Sequence, residues 1–462
     1  MSSNKKQQKG LSPIESRAAI SLAGIFSLRM LGLFMILPVF ALYAEELQGV
    51  TPVLVGVAIG AYGLTQAFLQ IPFGMLSDRI GRKPVIIGGL IIFAVGSVVA
   101  AQADTIWGVI FGRAVQGSGA IAAAVMALAA DLTREQVRMR VMAVIGMSIG
   151  FAFAISLVLG PMLDSLIGVQ GIFWLTSVLA LGGIAIVVFY VPNPEESHFH
   201  RDTEPVAGQF GRVLTDPDLL RLDTGIMLLH MILTSVFIAI PLTLRDSIGV
   251  ESSSHWMLYL PVVVLAMGLM IPLVVIAENR RKMKPVFLSA IAGLIVAQLG
   301  FWKFQDSLYG TAFAMLLFFT AFNLLEATLP SLIAKTAPVV SKGTAMGVYS
   351  TSQFIGAFLG GLIGGWIHAH FGLGGVFLFG GAAATIWLLA ASGMAPPNYH
   401  SNYLLKVCSM DEAQAAELQA ELMDIEGVGD AVVVATDGVA YLKVDTWVVD
   451  ESVLETYSRA ET

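Results

Sequence analysis

Four ionisable residues stand where the chain is otherwise apolar. They are Arg29 in LRMLGLFMILPVF, Arg113 in FGRAVQGSGAIAAA, His230 in MLLHMILTSVF and Glu326 in AFNLLEATLPSL. A charge inside a bilayer costs several kcal/mol unless it is paired or hydrated, so each marks a functional position by default. Glu326 is the only acid that this reading places inside a helix core away from a loop. A desolvated carboxyl takes up protons near neutral pH, the behaviour a proton carrier needs. His230 titrates in the physiological range, although a hydrogen-bonded neutral histidine is the commoner case. Arg113 and Gln116 lie at i and i+3 on one helix face, beside Gly117 and Gly119, which allow close packing. Each has a plainer alternative: Arg29 a structural pair with a neighbouring carboxylate, Arg113 a hydrogen-bond anchor, and Glu326 a fixed partner for either arginine or for a polar substrate. Gln66, Asn323, Tyr349 and Gln353 are the polar side chains placed to line a cavity between such helices.

A second constellation is the turn GMLSDRIGRK, residues 74–83. It packs Asp78, Arg79, Arg82 and Lys83 around Gly81, which permits a tight reversal, between two apolar runs. Other chemistries are excluded by what the chain lacks. There is no nucleophile–base arrangement, no glycine-rich phosphate loop beside a strand and no metal-ligand cluster, so neither an enzyme nor a cofactor or metal is expected. The single cysteine, Cys408, excludes an intrachain disulfide and a thiolate metal cage.

The elements that hold these residues must span a membrane. Of the 462 residues, 56% are hydrophobic and only 13% charged, with a mean hydropathy of +0.78; a soluble domain carries about 25% charged residues. Runs of about 20 apolar residues fall near 16–43, 52–77, 84–102, 105–131, 139–164, 171–191, 219–245, 254–277, 285–304, 307–335, 343–369 and 373–394. The first is too long for the apolar core of a cleavable signal peptide. Bases crowd the N-terminus and the turns on one side, whereas the opposite loops hold only Arg245 and Lys303. The positive-inside rule then places both termini in the cytoplasm.

On these residues the chain resembles the major facilitator superfamily. Gly74, Leu76, Asp78, Arg79, Gly81, Arg82 and Lys83 match its motif A, with Ser77 in place of the usual alanine. Arg113, Gln116, Gly117, Gly119 and Ala120 match motif B. Gly160 and Pro161 match the core of motif C, the antiporter mark, but Ser156, Asp164 and Ser165 replace glycines of that pattern. A proline-bearing linker at 192–218 divides the spans six and six, as in a fold built from two repeated halves. The turn VVIAENRRKMKPV echoes motif A in the second half, with Glu278 for Asp78 and without the glycines.

The resemblance implies an all-α membrane protein of twelve transmembrane helices in two six-helix bundles, 16–191 and 219–395, after a disordered stretch at 1–15. It implies a central cavity lined by spans 1, 4, 7 and 10, and a bacterial inner (plasma) membrane location. It further implies a secondary transporter similar to drug:H⁺ antiporters, exporting a small hydrophobic or amphipathic compound. Its partners would be that substrate, protons and lipid, and not nucleic acid. Proton coupling falls on Glu326, Arg113, Arg29 and His230. Gating falls on Gly74, Asp78, Arg79, Gly81, Arg82 and Asp131, with Asp78 expected to face the start of span 11 at Ser341–Gly343. Alternatives are a sugar or metabolite permease, or a membrane sensor whose tail binds a ligand.

From 398 the character changes, with thirteen acids against three bases. The order strand, amphipathic helix, hairpin turning on Asp437 and Gly438, then helix is the ferredoxin-like β-α-β-β-α pattern. Heavy-metal domains of this shape need Cys-x-x-Cys in the first loop, and here Ser409 and Met410 follow Cys408. Ligand binding or self-association through this α+β cytoplasmic unit, 398–462, is the expectation.

Overall fold

The structure is a computed structural model that describes residues 10–193, 207–338, 341–395, 401–407, 410–435, 438–445 and 448–457. Most of the proposed disordered N-terminus, residues 194–206 of the central linker, Cys408 and Asp437 lie outside the described residues.

The first half contains α1 (Pro13–Phe34), α2 (Leu37–Tyr43), α3 (Pro52–Ile80), α4 (Arg82–Ala101), α5 (Ile106–Ser118), α6 (Ala122–Asp131) and α7 (Glu135–Phe189). After the short α8 (Phe210–Thr215), the second half contains α9 (Pro217–Leu242), α10 (His255–Asn279), α11 (Met283–Lys303), α12 (Leu308–Thr336) and α13 (Lys342–Ser392). Ten of the described helical stretches are long and apolar enough to cross a membrane. Two of these differ from expectation. The loops expected near 165–170 and 370–372 are absent, and α7 and α13 run for 55 and 51 residues. A straight helix of that length measures roughly 75–85 Å, against a hydrocarbon core of about 30 Å. Each breaks at one glycine with left-handed backbone, Gly168 (φ 68°) and Gly372 (φ 70°), a conformation that glycine adopts without steric cost. Counted across these two breaks, the described residues make twelve crossings.

Two other spans are interrupted by their own sequence. Pro38 sits in the first turn of α2, where its missing N–H costs nothing, and splits the first span after Phe34. Span 4 breaks between Ser118 and Ala122. There the Gly119 backbone packs so closely on α4 that a Cβ would collide with the Gly89 carbonyl.

Large apolar side chains such as Phe68, Phe111, Phe189, Leu265, Phe313 and Leu389 are exposed around the bundle. On a soluble protein this would be a liability; in hydrocarbon it is the solvated surface. The halves meet through glycine. Any Cβ on Gly56 would strike the Gly361 carbonyl, and one on Gly361 would strike that of Gly56, so α3 and α13 touch backbone to backbone. Gly356 and Gly360 pack likewise against the Met227 and Met231 backbones of α9.

The C-terminal unit is β1 (Ser401–Lys406), α14 (Glu412–Met423), β2 (Val428–Val434), β3 (Val439–Val444) and α15 (Glu451–Tyr457). Its three strands are antiparallel in the order β1-β3-β2, the ferredoxin-like arrangement. Leu405, Leu422, Ala440, Leu442 and Leu454 form its core. The unit rests on the second half. Arg281, in the α10–α11 turn, forks onto both carboxylate oxygens of Asp445, and Lys443 Nζ donates to the carbonyls of Lys335 (2.9 Å) and Ala337 (2.5 Å) at the end of α12.

Candidate functional site

Three helices of the second half converge on His230. Its Nδ1 lies 3.3 Å from the Ile226 carbonyl, one turn back on α9. A carbonyl only accepts, so the network makes Nδ1 the donor and leaves Nε2 as the acceptor of the neutral ring. Around Nε2 stand Gln353 Nε2 of α13 at 2.8 Å and Glu326 Oε1 of α12 at 3.2 Å. Sequence reasoning placed these residues in two separate groups, and the fold makes them one cluster. Glu326 Oε1 has no conventional donor; Nε2 has a single lone pair, so a neutral Glu326 carboxyl would donate to it in place of the Gln353 amide, and a carboxylate would accept from an imidazolium. One proton therefore fits between the two groups in either form.

The cluster is bounded by rings from both halves. Phe322 lies 5.9 Å from the His230 ring and 5.5 Å from Phe153 of α7, which meets Phe34 of α1 at 5.1 Å. Asn323 is half-buried nearby on α12, while Tyr349 is buried with its hydroxyl unbonded. Glu326 is not alone, as had been expected. Asp223 on α9 is 4% exposed, and neither of its carboxylate oxygens has a partner. It sits close behind Asp216, the N-cap of α9, and Asp218 in the first turn, so in the sequence it reads as part of a helix start. Its separation of seven residues from His230 was the signal that could have found it.

The first half holds the arginines. Arg29 donates from Nη2 to Gln66 Oε1 (2.9 Å) and to the Gly119 carbonyl (3.0 Å) freed by the span-4 break. Arg113 donates to Gln116 Oε1 at 3.0 Å and to the Ile59 carbonyl at 3.3 Å. Tyr62 lies between them, with its ring centre 5.8 Å from one guanidinium and 5.5 Å from the other. Among the described residues neither arginine has a carboxylate partner, and Glu326 pairs with neither, so the structural pair proposed for Arg29 is not formed. Gln66, expected in the cavity, is instead fully buried and bonded to Arg29.

At the basic end, Arg82 joins Asp78, one turn before it, to Asp131 at the end of α6 (3.3 Å) and to Ser77 Oγ (2.9 Å). Ser77, the one position that departs from the motif, thus enters the network. Arg79 points outward and is exposed. Gly81 has φ 96°, a region that other residues enter only with strain, and Gly74 packs on Ala123. Asp78 is held within its own half by Arg82, rather than at the start of α13. The second half repeats the turn 200 residues on. Glu278 takes the place of Asp78 and bonds Ser331 (2.9 Å) and Lys335 (2.7 Å) of α12. Arg281 occupies the position of Gly81 and keeps a positive φ of 51°.

Two repeated helical halves, with paired turns at one end and buried ionisable groups in each, define a membrane transporter. The sequence pattern of the Major Facilitator Superfamily matches residues 22–360 and, in a second match, 224–404, and the chain belongs to that family. Among its relatives is the inner membrane transport protein YajR of Escherichia coli K12, 48% identical over 445 residues, covering 96% of this chain and 98% of that one. The multidrug resistance protein MdtH of Aeromonas salmonicida is 24% identical over 347 residues, 74% of this chain and 85% of the relative. Among solved structures, an inward-facing, occupied bacterial homologue of the human lysosomal transporter Spinster superposes with a TM-score of 0.66 at 16% identity, covering 83% of this chain and 96% of that one. The protein is thus a multi-pass membrane transporter of a small-molecule substrate.

Proposed function

We propose that the protein exports a small hydrophobic or amphipathic compound across a bacterial inner membrane in exchange for protons, by alternating access. The observation that carries this reading is the 3.2 Å approach of Glu326 to His230. It is a proton-holding pair facing an aromatic wall that spans both halves. A proton bound there and a substrate lodged against Phe322 and Phe153 compete for one space, which is the requirement for exchange. The kinship with the multidrug resistance protein MdtH supports export, and that with the inner membrane transport protein YajR supports the location.

With the basic turns in the cytoplasm, the side opposite is closed. There Arg245 forks onto Glu45 across the halves (2.6 and 3.0 Å), and Gly365 abuts Pro52. Met75, Leu76, Asp78, Arg79 and Ile80, at the cytoplasmic end of α3, are exposed. This is an inward-open arrangement. In the outward-open state Asp78 leaves solvent for the N-terminus of α13, where a carboxylate gains about 0.3–1 kcal/mol from the helix dipole, more if partly buried. Arg82, Asp131 and Gly81 hold the turn in the shape that docking needs. Arg113, Arg29 and Gln116 serve as the fixed polar framework of the first half.

The test begins with a thermal-shift panel of amphipathic compounds at two pH values. A compound that stabilises the protein is then followed in proteoliposomes under an imposed pH gradient. Transport that collapses with Glu326→Gln while the variant stays folded supports the reading; pH-driven transport at the wild-type rate would sink it.

A further inference from the structure

Asp223 is a buried acid that this cycle leaves without a task. It is 96% buried by exposed area, both oxygens are unpartnered, and it lies two turns before His230 on α9. Seven residues at 100° per residue return to nearly the same helix face after a rise of about 10 Å. A carboxylate so placed without a donor is unfavourable, so the position suits a carboxyl that carries a proton. Tyr349 lies on α13, which packs along α9, and its hydroxyl is buried and unbonded.

Among the described residues, the cations on the surrounding elements are engaged elsewhere or, like Arg212 of α8, exposed. Arg221 pairs with Asp218 on α9 itself, Lys284 of α11 donates to the Met394 carbonyl, and Lys335 of α12 pairs with Glu278. Lys342 and Thr344, in the first turn of α13, have interactions of their own. Tyr349 on α13, Glu326 on α12 and His230 on α9 itself are the titratable groups of the site carried by these packed helices.

We propose that Asp223 is a second proton-binding carboxylate, set in series with Glu326 and nearer the basic end of the transporter. It rests on the proton-coupled reading above. Asp223 gives its proton to Tyr349 Oη as the tyrosine hydroxyl passes its own to a Glu326 carboxylate. Asp223 is left ionised, Tyr349 unchanged and Glu326 neutral. The reverse sequence releases the proton toward the basic end. Tyr349 bonds neither acid in this structure, so the transfer takes place in another state of the cycle, after the helices shift.

The experiment is a pH titration of the purified full-length protein by infrared difference spectroscopy, which reads buried carboxyl C=O bands directly. In the wild type, side-chain ¹³C-aspartate should downshift one such band and side-chain ¹³C-glutamate another. Asp223→Asn should delete the aspartate-sensitive band and move the midpoint of the glutamate-sensitive one, because the two sites interact. Asp223→Glu should transfer the band from the aspartate to the glutamate label, which secures the assignment if the asparagine variant does not fold. No aspartate-sensitive buried band, or a glutamate midpoint unmoved in Asp223→Asn, would overturn the proposal. An aspartate band present with the glutamate band missing would instead overturn Glu326 as the carrier, so the two failures are told apart.

Discussion

His230 Nε2 and Glu326 Oε1 stand 3.2 Å apart across α9 and α12, with Gln353 closing the third side at 2.8 Å. The histidine has no hydrogen-bond capacity left over, since Nδ1 is committed to the Ile226 carbonyl. Replacing Glu326 by Gln keeps the shape and removes the ionisable proton. The expected result is a loss of pH-driven flux of about 100-fold or more, the scale on which positioned acid–base groups act, with substrate affinity at high pH little changed. His230→Gln should weaken the pH dependence less severely, because Glu326 still carries the proton. Flux assays in proteoliposomes at several internal pH values separate these outcomes.

Arg82 binds Asp78, Asp131 and Ser77 together at the basic end. Removing the Asp78 charge with Asn should leave the inward-open state intact and destabilise the outward-open one, in which that charge meets the α13 dipole. A shift of about 1 kcal/mol changes the ratio of the two states roughly five-fold. Spin-label distances between the cytoplasmic ends of α3 and α13 should lengthen on average. Gly81→Ala should act through the backbone instead, since φ 96° strains any side chain, and Asp78→Asn added to it should produce little further change.

The bilayer-spanning character, the two charged turns and the order of elements in the tail were legible because each is written locally, as apolar run length, motif spacing or alternation. What escaped needs the third dimension. Span 5 was not seen to run on into span 6, because Gly168 makes the reversal without the polar loop that a reader looks for. Gln66 looked free for a substrate until Arg29, thirty-seven residues away, proved to be its partner. Asp223 was hidden among helix-start acids, although it shares a helix face with His230. The site was therefore read as a set of residues, while the cluster of His230, Glu326 and Gln353 required the packing of three helices.

Gly56 and Gly361 show how tightly the closed end depends on missing side chains. Gly56→Val would force α3 and α13 apart, at a cost of about 1–3 kcal/mol typical of overpacked contacts, or more where backbone is the obstacle. That cost falls on the inward-open state, where the two backbones touch. The expected outcome is a population shifted toward outward-open, read as greater labelling of a cysteine placed beside Glu45 and lower thermal stability. Unchanged labelling would show that another contact holds this end shut.

The tail is bolted to the second half through the turn that replaced a glycine with Arg281. That residue keeps a positive φ at a cost of about 1 kcal/mol, and it forks onto Asp445. Arg281→Gly should therefore relieve backbone strain while releasing the tail. Asp445→Asn should release the tail without the relief, so that of the two undocked variants the glycine one melts higher. Lys443 supplies the pH dependence. Burial holds its ammonium below the usual lysine range, against the pull of Asp430. Docked, the lysine gives up its proton at lower pH than when free, near 10.4, so docking strengthens as pH rises through that window. Hydrogen exchange of β3 measured at rising alkaline pH should show increasing protection in the wild type and a flat profile in Lys443→Ala.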